Sequence, residues 1–320
     1  MRLIPLLLAA LLVLSNAAAA RDILEKDVAT SGLAGSFVTP GRNNPAKAVL
    51  MIAGSGPTDR NGNSKLGVDA DYLKMLASHL ATADIASLRY DKRGVGGSKA
   101  LVTSEAALRF SDFVGDAATW NSWLTKQSDV ACVFLLGHSE GGLIATRVAE
   151  DTSPAGLVLV MSPGRTFGAV LETQLSTAPM EEPLRTEALS VLKTLESGQH
   201  VAKVDAKLDN IFRPSVQPYL LSILDIDPAQ ELATLTLPTL LVSGGHDLQV
   251  SAADFAALKK ARPDAEAILI PGMNHVMKDV GEDRKVNLAA YHDPTLPLSP
   301  ELAASVTKFI TATPCPAGKR

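Results

Sequence analysis

Residues 133–142 read VFLLGHSEGG, an apolar run that ends at Gly137 and is followed by Ser139 and a second glycine, Gly141. The next residues, LIATRVAED, have the spacing of a helix. A sharp turn from strand to helix forces unusual backbone angles on its central residue, so the residues two positions away must be small. The stretch therefore predicts a nucleophile elbow, a turn that exposes the Ser139 hydroxyl at the end of a strand.

Apolar runs like the one before Ser139 recur along the chain and alternate with longer stretches of helical spacing. The runs are residues 48–52, 85–88, 131–136, 156–161, 239–242 and 267–270. The helical stretches are residues 70–83, 108–126, 143–151, 252–261 and 300–311. Short continuous apolar runs are typical of parallel strands that are covered on both faces. The alternation predicts an α/β fold, a mostly parallel, doubly wound sheet with helices on both sides.

The alternation stops between residues 165 and 232, where only helical spacing is found. This segment is far longer than the usual crossover of about a dozen residues between parallel strands. We therefore predict a helical cap over residues 165–232, inserted into a core made of residues 21–164 and 233–320.

Composition excludes several classes of protein. The 320 residues are 46% hydrophobic, which is enough for one large core or two smaller ones. The net charge of −4 and the 4% of aromatic residues provide no basic stripe and few stacking platforms, so no nucleic-acid partner is expected. RGVGGS, which follows an apolar run, lacks the glycine spacing of a dinucleotide site.

The only cysteines are Cys132 and Cys315, so the chain is not a disulfide scaffold. Cys132 lies in an apolar run, and we expect it to be a buried packing residue, although an exported protein could form one bridge between Cys132 and Cys315. There is no H-E-x-x-H or C-x-x-C spacing. Neither a metal nor a cofactor is therefore predicted.

Residues 1–20, MRLIPLLLAALLVLSNAAAA, have one cation, an apolar stretch over residues 3–14 and small residues that match an A-x-A cleavage site. The apolar stretch is shorter than the roughly 20 residues that span a bilayer, which disfavours a membrane anchor. We expect a signal peptide over residues 1–20, a periplasmic or secreted protein, and no stable membrane insertion after cleavage.

A serine hydroxyl becomes a good nucleophile only when an oriented base takes its proton. In folds that carry a nucleophile elbow, the order along the chain is serine, then acid, then histidine. Asp247 and His275 each follow an apolar run in that order, so we predict that they are the acid and the base. Asp279 and Asp283 follow His275 too closely and would require the reversed order.

Acyl transfer also needs two N–H donors for the oxyanion of the tetrahedral intermediate. We predict the backbone N–H of Glu140, which follows the serine, and that of Ser55 in the loop AGSGPTD, with Gly56 as the alternate. His138 is expected to line the pocket beside the elbow. Phe212 and Tyr219, in the predicted cap, are candidates for the pocket roof.

The sequence resembles bacterial α/β-hydrolases of the serine aminopeptidase-like (S33) and acyl-CoA-thioesterase-like group. The matching motifs, in order, are GSGPTDRNGN, YDKRGVGGS, GHSEGG, DLQVS and NHVMK. Ala53 stands where relatives often have a histidine before the oxyanion glycine. The resemblance implies an α/β-hydrolase fold with a helical cap, and hydrolysis of a small ester, thioester or amide through an acyl-serine.

Among these activities we favour ester hydrolysis, because an exported enzyme meets little coenzyme A. An aminopeptidase or a thioesterase that uses the same three residues is the alternative. A non-catalytic binding protein on the same fold is a third possibility, and the presence of a serine, an aspartate and a histidine at the expected places argues against it.

Overall fold

The sheet positions the candidate catalytic residues, because Ser139, Asp247 and His275 all follow the ends of its strands. The computed structural model describes residues 23–41 and 44–317, so the predicted signal peptide lies outside the described residues. The strands are β1 (Ile23–Thr30), β2 (Leu33–Pro40), β3 (Ala46–Ile52), β4 (Ala86–Tyr90), β5 (Val130–His138), β6 (Gly156–Val160), β7 (Thr239–Gly244) and β8 (Glu266–Ile270). Within the described residues they form one sheet in the order β1-β2-β4-β3-β5-β6-β7-β8. All neighbours from β4 to β8 pair in parallel.

Helices cover both faces of this sheet, as the alternation predicted. They are α1 (Tyr72–Thr82), α2 (Phe110–Leu124), α3 (Glu140–Thr152), α4 (Phe167–Thr177), α5 (Glu182–Glu196), α6 (Asp209–Phe212), α7 (Gln217–Leu221), α8 (Pro228–Ala233), α9 (Ala252–Ala261), α10 (Arg284–Ala289) and α11 (Pro300–Ala312). No helix in the described ranges has the length and apolar character needed to cross a membrane.

Successive residues of the central strands belong to different cores. In β3, Val49 and Met51 pack with α1 and α11 on one face of the sheet. Leu50 and Ile52 pack with α2 and α3 on the other face. Because both faces are covered, these strands are continuously apolar, which is why the sequence reveals them.

The antiparallel hairpin of β1 and β2 is absent from the sequence prediction. β1 reads ILEKDVAT and is mostly exposed at the edge of the sheet, so it has no continuous apolar run. Ser31 and Gly32 connect the two strands with positive φ angles of 50° and 81°, as a tight two-residue hairpin turn requires.

Helices α4 to α8 lie between β6 and β7, in the segment predicted as the cap. This segment has a core of its own, which we call the cap cluster. Its buried members are Leu171, Leu175, Ala188, Val191, Leu192, Leu195, Leu208, Phe212, Leu220 and Leu224. The segment thus packs partly on itself as well as on the sheet.

The expectation for the cysteines is wrong. Cys132 and Cys315 form a disulfide bond, with their Cα atoms 5.6 Å apart. Cys132 lies near the amino end of β5 and is half-buried, not enclosed within the sheet. The chain that follows α11 returns to this end of β5 and brings Cys315 within reach.

Candidate active site

The turn at Ser139 has the geometry of a nucleophile elbow. Ser139 lies between β5 and α3 with φ 54° and ψ −129°, a conformation that is strained for a residue with a side chain. A Cβ on Gly137 would lie 2.2 Å from the Gly141 carbonyl oxygen, and one on Gly141 would lie 2.3 Å from the Ile52 oxygen. The predicted need for small neighbours is therefore confirmed. Gly142 is equally constrained, because its Cβ would lie 1.9 Å from Ser162 Oγ.

Asp247 and His275 come together beyond the ends of β7 and β8. His275 Nδ1 lies 2.8 Å from Asp247 Oδ2, and their side chains are only 5% and 1% exposed. Asp247 Oδ1 accepts the N–H groups of Gln249 and Val250 at 2.7 and 3.0 Å. These bonds hold the carboxylate so that one oxygen faces the imidazole.

Ser139 and His275 line the same cavity. In the described part of the chain no hydrogen bond joins Ser139 Oγ to the His275 ring. Such bonds are often long before a substrate is bound and shorten in the reacting complex.

The alternative acids, Asp279 and Asp283, and the histidine next to Asp247, His246, lie in other environments. Asp279 is exposed. Asp283 caps α10 by accepting the N–H groups of the first turn. His246 Nδ1 pairs with the Val280 carbonyl oxygen at 2.8 Å, and His246 does not line the cavity.

His138 lines the cavity, and it also contacts His275. Its Nε2 lies 2.8 Å from the His275 carbonyl oxygen, and its Nδ1 lies 3.3 Å from the Tyr72 hydroxyl. Burial, followed by the proximity of His275, lowers the pKa of His138 well below its usual value. Since a carbonyl only accepts, a neutral His138 donates from Nε2 and accepts from Tyr72 at Nδ1. Sequence reasoning missed Tyr72, which lies 66 positions away.

The predicted oxyanion donors lie beside Ser139. The Gly54 backbone is so close that a Cβ there would lie 3.0 Å from Ser139 Cβ. Ser55, Gly56 and Glu140 all line the cavity. Glu140 begins α3, and Gly56 has a positive φ of 77°.

Lys92 is the residue that the sequence reading missed in this region. Its Nζ lies 2.9 Å from the Gly54 carbonyl oxygen and 3.2 Å from Glu140 Oε1. It also lies 4.5 Å from the centre of the Phe113 ring. The Lys92 and Glu140 side chains are only 4% and 1% exposed. Lys92 belongs to YDKRGVGGS, but nothing in that motif indicates where its side chain ends.

A cavity of about 500 Å³ lies between the strand ends and the cap segment. Its apolar lining comes from both the core and the cap segment. These residues include Leu66, Val68, Val95, Val102, Leu108, Phe113, Phe167, Leu171, Ile211, Val216, Tyr219, Leu220 and Val276.

The two residues predicted for the pocket roof, Tyr219 and Phe212, lie in different environments. Tyr219 lines the cavity, and its pKa is raised well above its usual value by burial and by the neighbouring Glu140. Phe212 does not line the cavity: it is completely buried in the cap cluster, so this prediction is wrong. Helical spacing identifies an apolar residue but not which of two apolar environments it faces.

The chain matches known proteins over most of its length. Residues 67–279 match the family model of the serine aminopeptidases, S33. The chain belongs to this S33 hydrolase family. It is 28% identical to Esterase EstD of Thermotoga maritima over 261 residues, which is 79% of this chain and 60% of the relative. This S33 family member thus spans about 60% of the length of that curated relative.

Two solved structures resemble this chain over nearly its whole length. Proline iminopeptidase from Mycobacterium smegmatis has a TM-score of 0.57 at 16% identity, covering 90% of this chain and 98% of that one. Est1E from Butyrivibrio proteoclasticus, solved with bound ferulic acid, has a TM-score of 0.56 at 17% identity and the same coverage. At these identities the similarity shows the fold alone, and together with the family match it confirms the predicted α/β-hydrolase fold.

Every charged side chain that lines the cavity of this S33 family member has a partner within the described residues. Arg93 donates to both carboxylate oxygens of Asp116, at 2.7 and 2.6 Å. Glu105 accepts from Arg213 and Ser215, and its pKa is lowered mainly by the hydrogen bond from Arg213. Lys92 and Glu140 pair with each other. No group of three or more potential metal ligands was found in the same described ranges.

Proposed function

We propose that this protein is a serine esterase that hydrolyses uncharged carboxylic esters through an acyl-Ser139 intermediate. The observation that carries the proposal is the oriented Asp247–His275 pair, which shares one cavity with a serine on an elbow. Membership of a hydrolase family and the similarity to a relative named as an esterase support it.

In the proposed mechanism, His275 Nε2 takes the proton of Ser139 while Oγ attacks the ester carbonyl carbon. Asp247 holds the Nδ1–H and stabilises the imidazolium. The N–H groups of Glu140 and Ser55 donate to the oxyanion. The intermediate then expels the alcohol, which receives the proton from His275, and a water molecule repeats the sequence on the acyl-enzyme.

The charges in the cavity favour an ester over the two alternatives. An aminopeptidase must bind a free α-ammonium group, yet both carboxylates that line the cavity, Glu105 and Glu140, are already paired with cations. Coenzyme A carries phosphates, yet the cationic lining residues already have acidic partners. An uncharged acyl or alcohol group can fill the apolar lining without leaving a buried charge unpaired.

The proposal extends to export. The pattern of residues 1–20 is that of a cleaved signal peptide. The Cys132–Cys315 bond supports an oxidising compartment, since disulfides rarely persist in a reducing cytosol. We expect amino-terminal sequencing of protein recovered from the periplasm or culture fluid to begin near residue 21. Protein that stays in the cytosol with residues 1–20 intact would contradict export.

Covalent labelling tests the esterase proposal directly. We expect a fluorophosphonate to label the folded protein at Ser139, and Ser139→Ala to lose both the label and ester turnover. Ser128→Ala, at an exposed position, serves as the matched control and is expected to behave like the wild type. A label on another residue, or none on folded protein, would overturn the proposal.

A further inference from the structure

Lys92 contacts Glu140, one proposed oxyanion donor, and Gly54, the residue before the other proposed donor, Ser55. Its ammonium group donates to the Gly54 carbonyl oxygen at 2.9 Å and to the Glu140 carboxylate at 3.2 Å. The Gly54 backbone lies close to Ser139, and Lys92, Glu140 and Ser139 line the same cavity. The Lys92 side chain is 4% exposed and follows the short strand β4. A lysine is rarely buried to this extent unless it is paired.

The contact between Lys92 and the Gly54 carbonyl oxygen also orients the Ser55 N–H group, because one peptide bond joins the two groups. The Gly54 carbonyl and the Ser55 N–H belong to the same planar unit, and the described residues contain no cis peptide bond. In a trans peptide the C=O and N–H point in opposite directions. A cation that holds the carbonyl oxygen therefore also fixes the direction of the N–H. Charge-assisted hydrogen bonds are roughly twice as strong as neutral ones, and the attraction polarises the whole unit.

The contact between Lys92 and the Glu140 carboxylate concerns the second proposed donor, the backbone N–H of Glu140. Glu140 supplies its backbone N–H at the start of α3, and its own carboxylate is bound to the same ammonium group. One buried cation thus restrains the backbone of the loop after β3 and the side chain of the first residue of α3. A buried ion pair contributes little net stability compared with apolar residues of similar volume, so stability alone is a poor reason for this pair.

We propose that Lys92 is a positioning residue of the oxyanion hole. It orients and polarises the Gly54–Ser55 peptide and holds Glu140 in register with it. Lys92 acts through these two donors rather than on the substrate. This inference rests on the proposed esterase function.

The test compares Lys92→Met with a control lysine in the full chain. Lys92→Met keeps the length of the side chain and removes the charge. Lys47→Met is the control, because the Lys47 ammonium also donates to backbone carbonyls, those of Ile310, Thr311 and Thr313, away from the cavity. Reactive sites are counted by complete fluorophosphonate titration, so that kcat refers to folded enzyme.

We expect Lys92→Met to lower kcat for a neutral ester by about 100-fold, the scale of losing one oxyanion donor, with KM changed less than about threefold. The affinity for a trifluoromethyl ketone, which forms an oxyanion on Ser139, is expected to fall by the same factor. Lys47→Met is expected to lose thermal stability but to keep kcat. A merely structural role for Lys92 would give the same pattern as Lys47.

If Lys92→Met does not fold, the double variant Lys92→Met/Glu140→Gln is tested instead. In this variant the Glu140 carboxylate is also neutralised, so no buried charge is left without a partner. The same loss of kcat and of ketone affinity is expected. A folded variant with kcat within about threefold of wild type, or with a raised KM alone, overturns the role of Lys92. Wild-type protein without ester turnover or a label at Ser139 would instead overturn the proposed function itself.

Discussion

The strand ends and the cap segment form the two sides of one cavity, but they are held in different ways. At the strand ends, Ser139, Asp247 and His275 are fixed by strained backbone, N–H donors and buried hydrogen bonds. The cap segment packs on its own cluster, and part-buried ion pairs such as Glu105–Arg213 and Arg147–Glu231 join it to the core. If the protein is the esterase proposed above, this difference predicts that the strand ends carry the chemistry and that the cap segment contributes to the choice of substrate.

The largest effect is expected at the strand ends. Asp247→Asn is expected to fold normally and to lose about 10⁴-fold in turnover, because the imidazole then adopts the wrong tautomer. Steady-state kinetics with a neutral ester measures this loss. Asp279→Asn, at an exposed position, is expected to be nearly silent, and the reverse result would assign the acid to Asp279.

Substitutions at two neighbouring residues of the cap segment distinguish an effect on stability from an effect on substrate selectivity. Ile211 lines the cavity, whereas Phe212 is buried in the cap cluster. Ile211→Ala is expected to change the preference among acyl lengths by about 10- to 200-fold at most, the value of ~1–3 kcal/mol of apolar contact. Phe212→Ala is expected to cost about 3–5 kcal/mol of unfolding free energy. Ester panels and denaturant unfolding measure the two effects, and an unchanged acyl profile for folded Ile211→Ala would place substrate selection elsewhere.

His138 is expected to make the stability of the strand-end side sensitive to acid. Burial lowers the pKa of His138 in the folded protein. In the unfolded chain the imidazole has its usual pKa of about 6.5. The unfolded state therefore binds more protons below this pH, so stability is complete above about pH 6.5 and falls as the pH drops towards the folded pKa. The slope is at most about 1.4 kcal/mol per pH unit.

Chemical denaturation at a series of pH values measures this slope. His138→Asn is expected to flatten it, although the variant loses stability at every pH. His79→Asn, which changes an exposed histidine of α1, serves as the control and is expected to keep the wild-type slope. An unchanged slope in His138→Asn would show that other groups dominate the pH dependence.

The smallest effect is expected where the cap segment joins the core. The Arg213 hydrogen bond lowers the pKa of Glu105, so this pair stabilises the fold above the usual glutamate range and loses its effect as the pH falls through the lowered pKa. Wild type is therefore expected to be more stable than Glu105→Gln at pH 7, with the difference in Tm shrinking below about pH 4. A constant difference would show that the charge of Glu105 is not involved.

Local pattern and chain order were enough to predict the elbow, the central strands and the identity of Ser139, Asp247 and His275 as candidates. Strands that are buried on both faces must be continuously apolar, and parallel strands bring their carboxyl ends to one edge. Residues that directly follow such strands therefore meet, wherever they lie in the sequence. The exposed strand β1 lacks this signal and was missed.

Tertiary structure alone decided the contacts between long side chains and distant segments. The Lys92 ammonium reaches Gly54 and Glu140, 38 and 48 positions away, and Tyr72 reaches His138 across 66 positions. Phe212 packs in the cap cluster, and Cys315 lies at the amino end of β5, where it is bonded to Cys132. The sequence determines which side chains exist and their local spacing. The partner that each finds depends on how separate elements pack, because a flexible side chain has several neighbours within reach and only the assembled core selects among them.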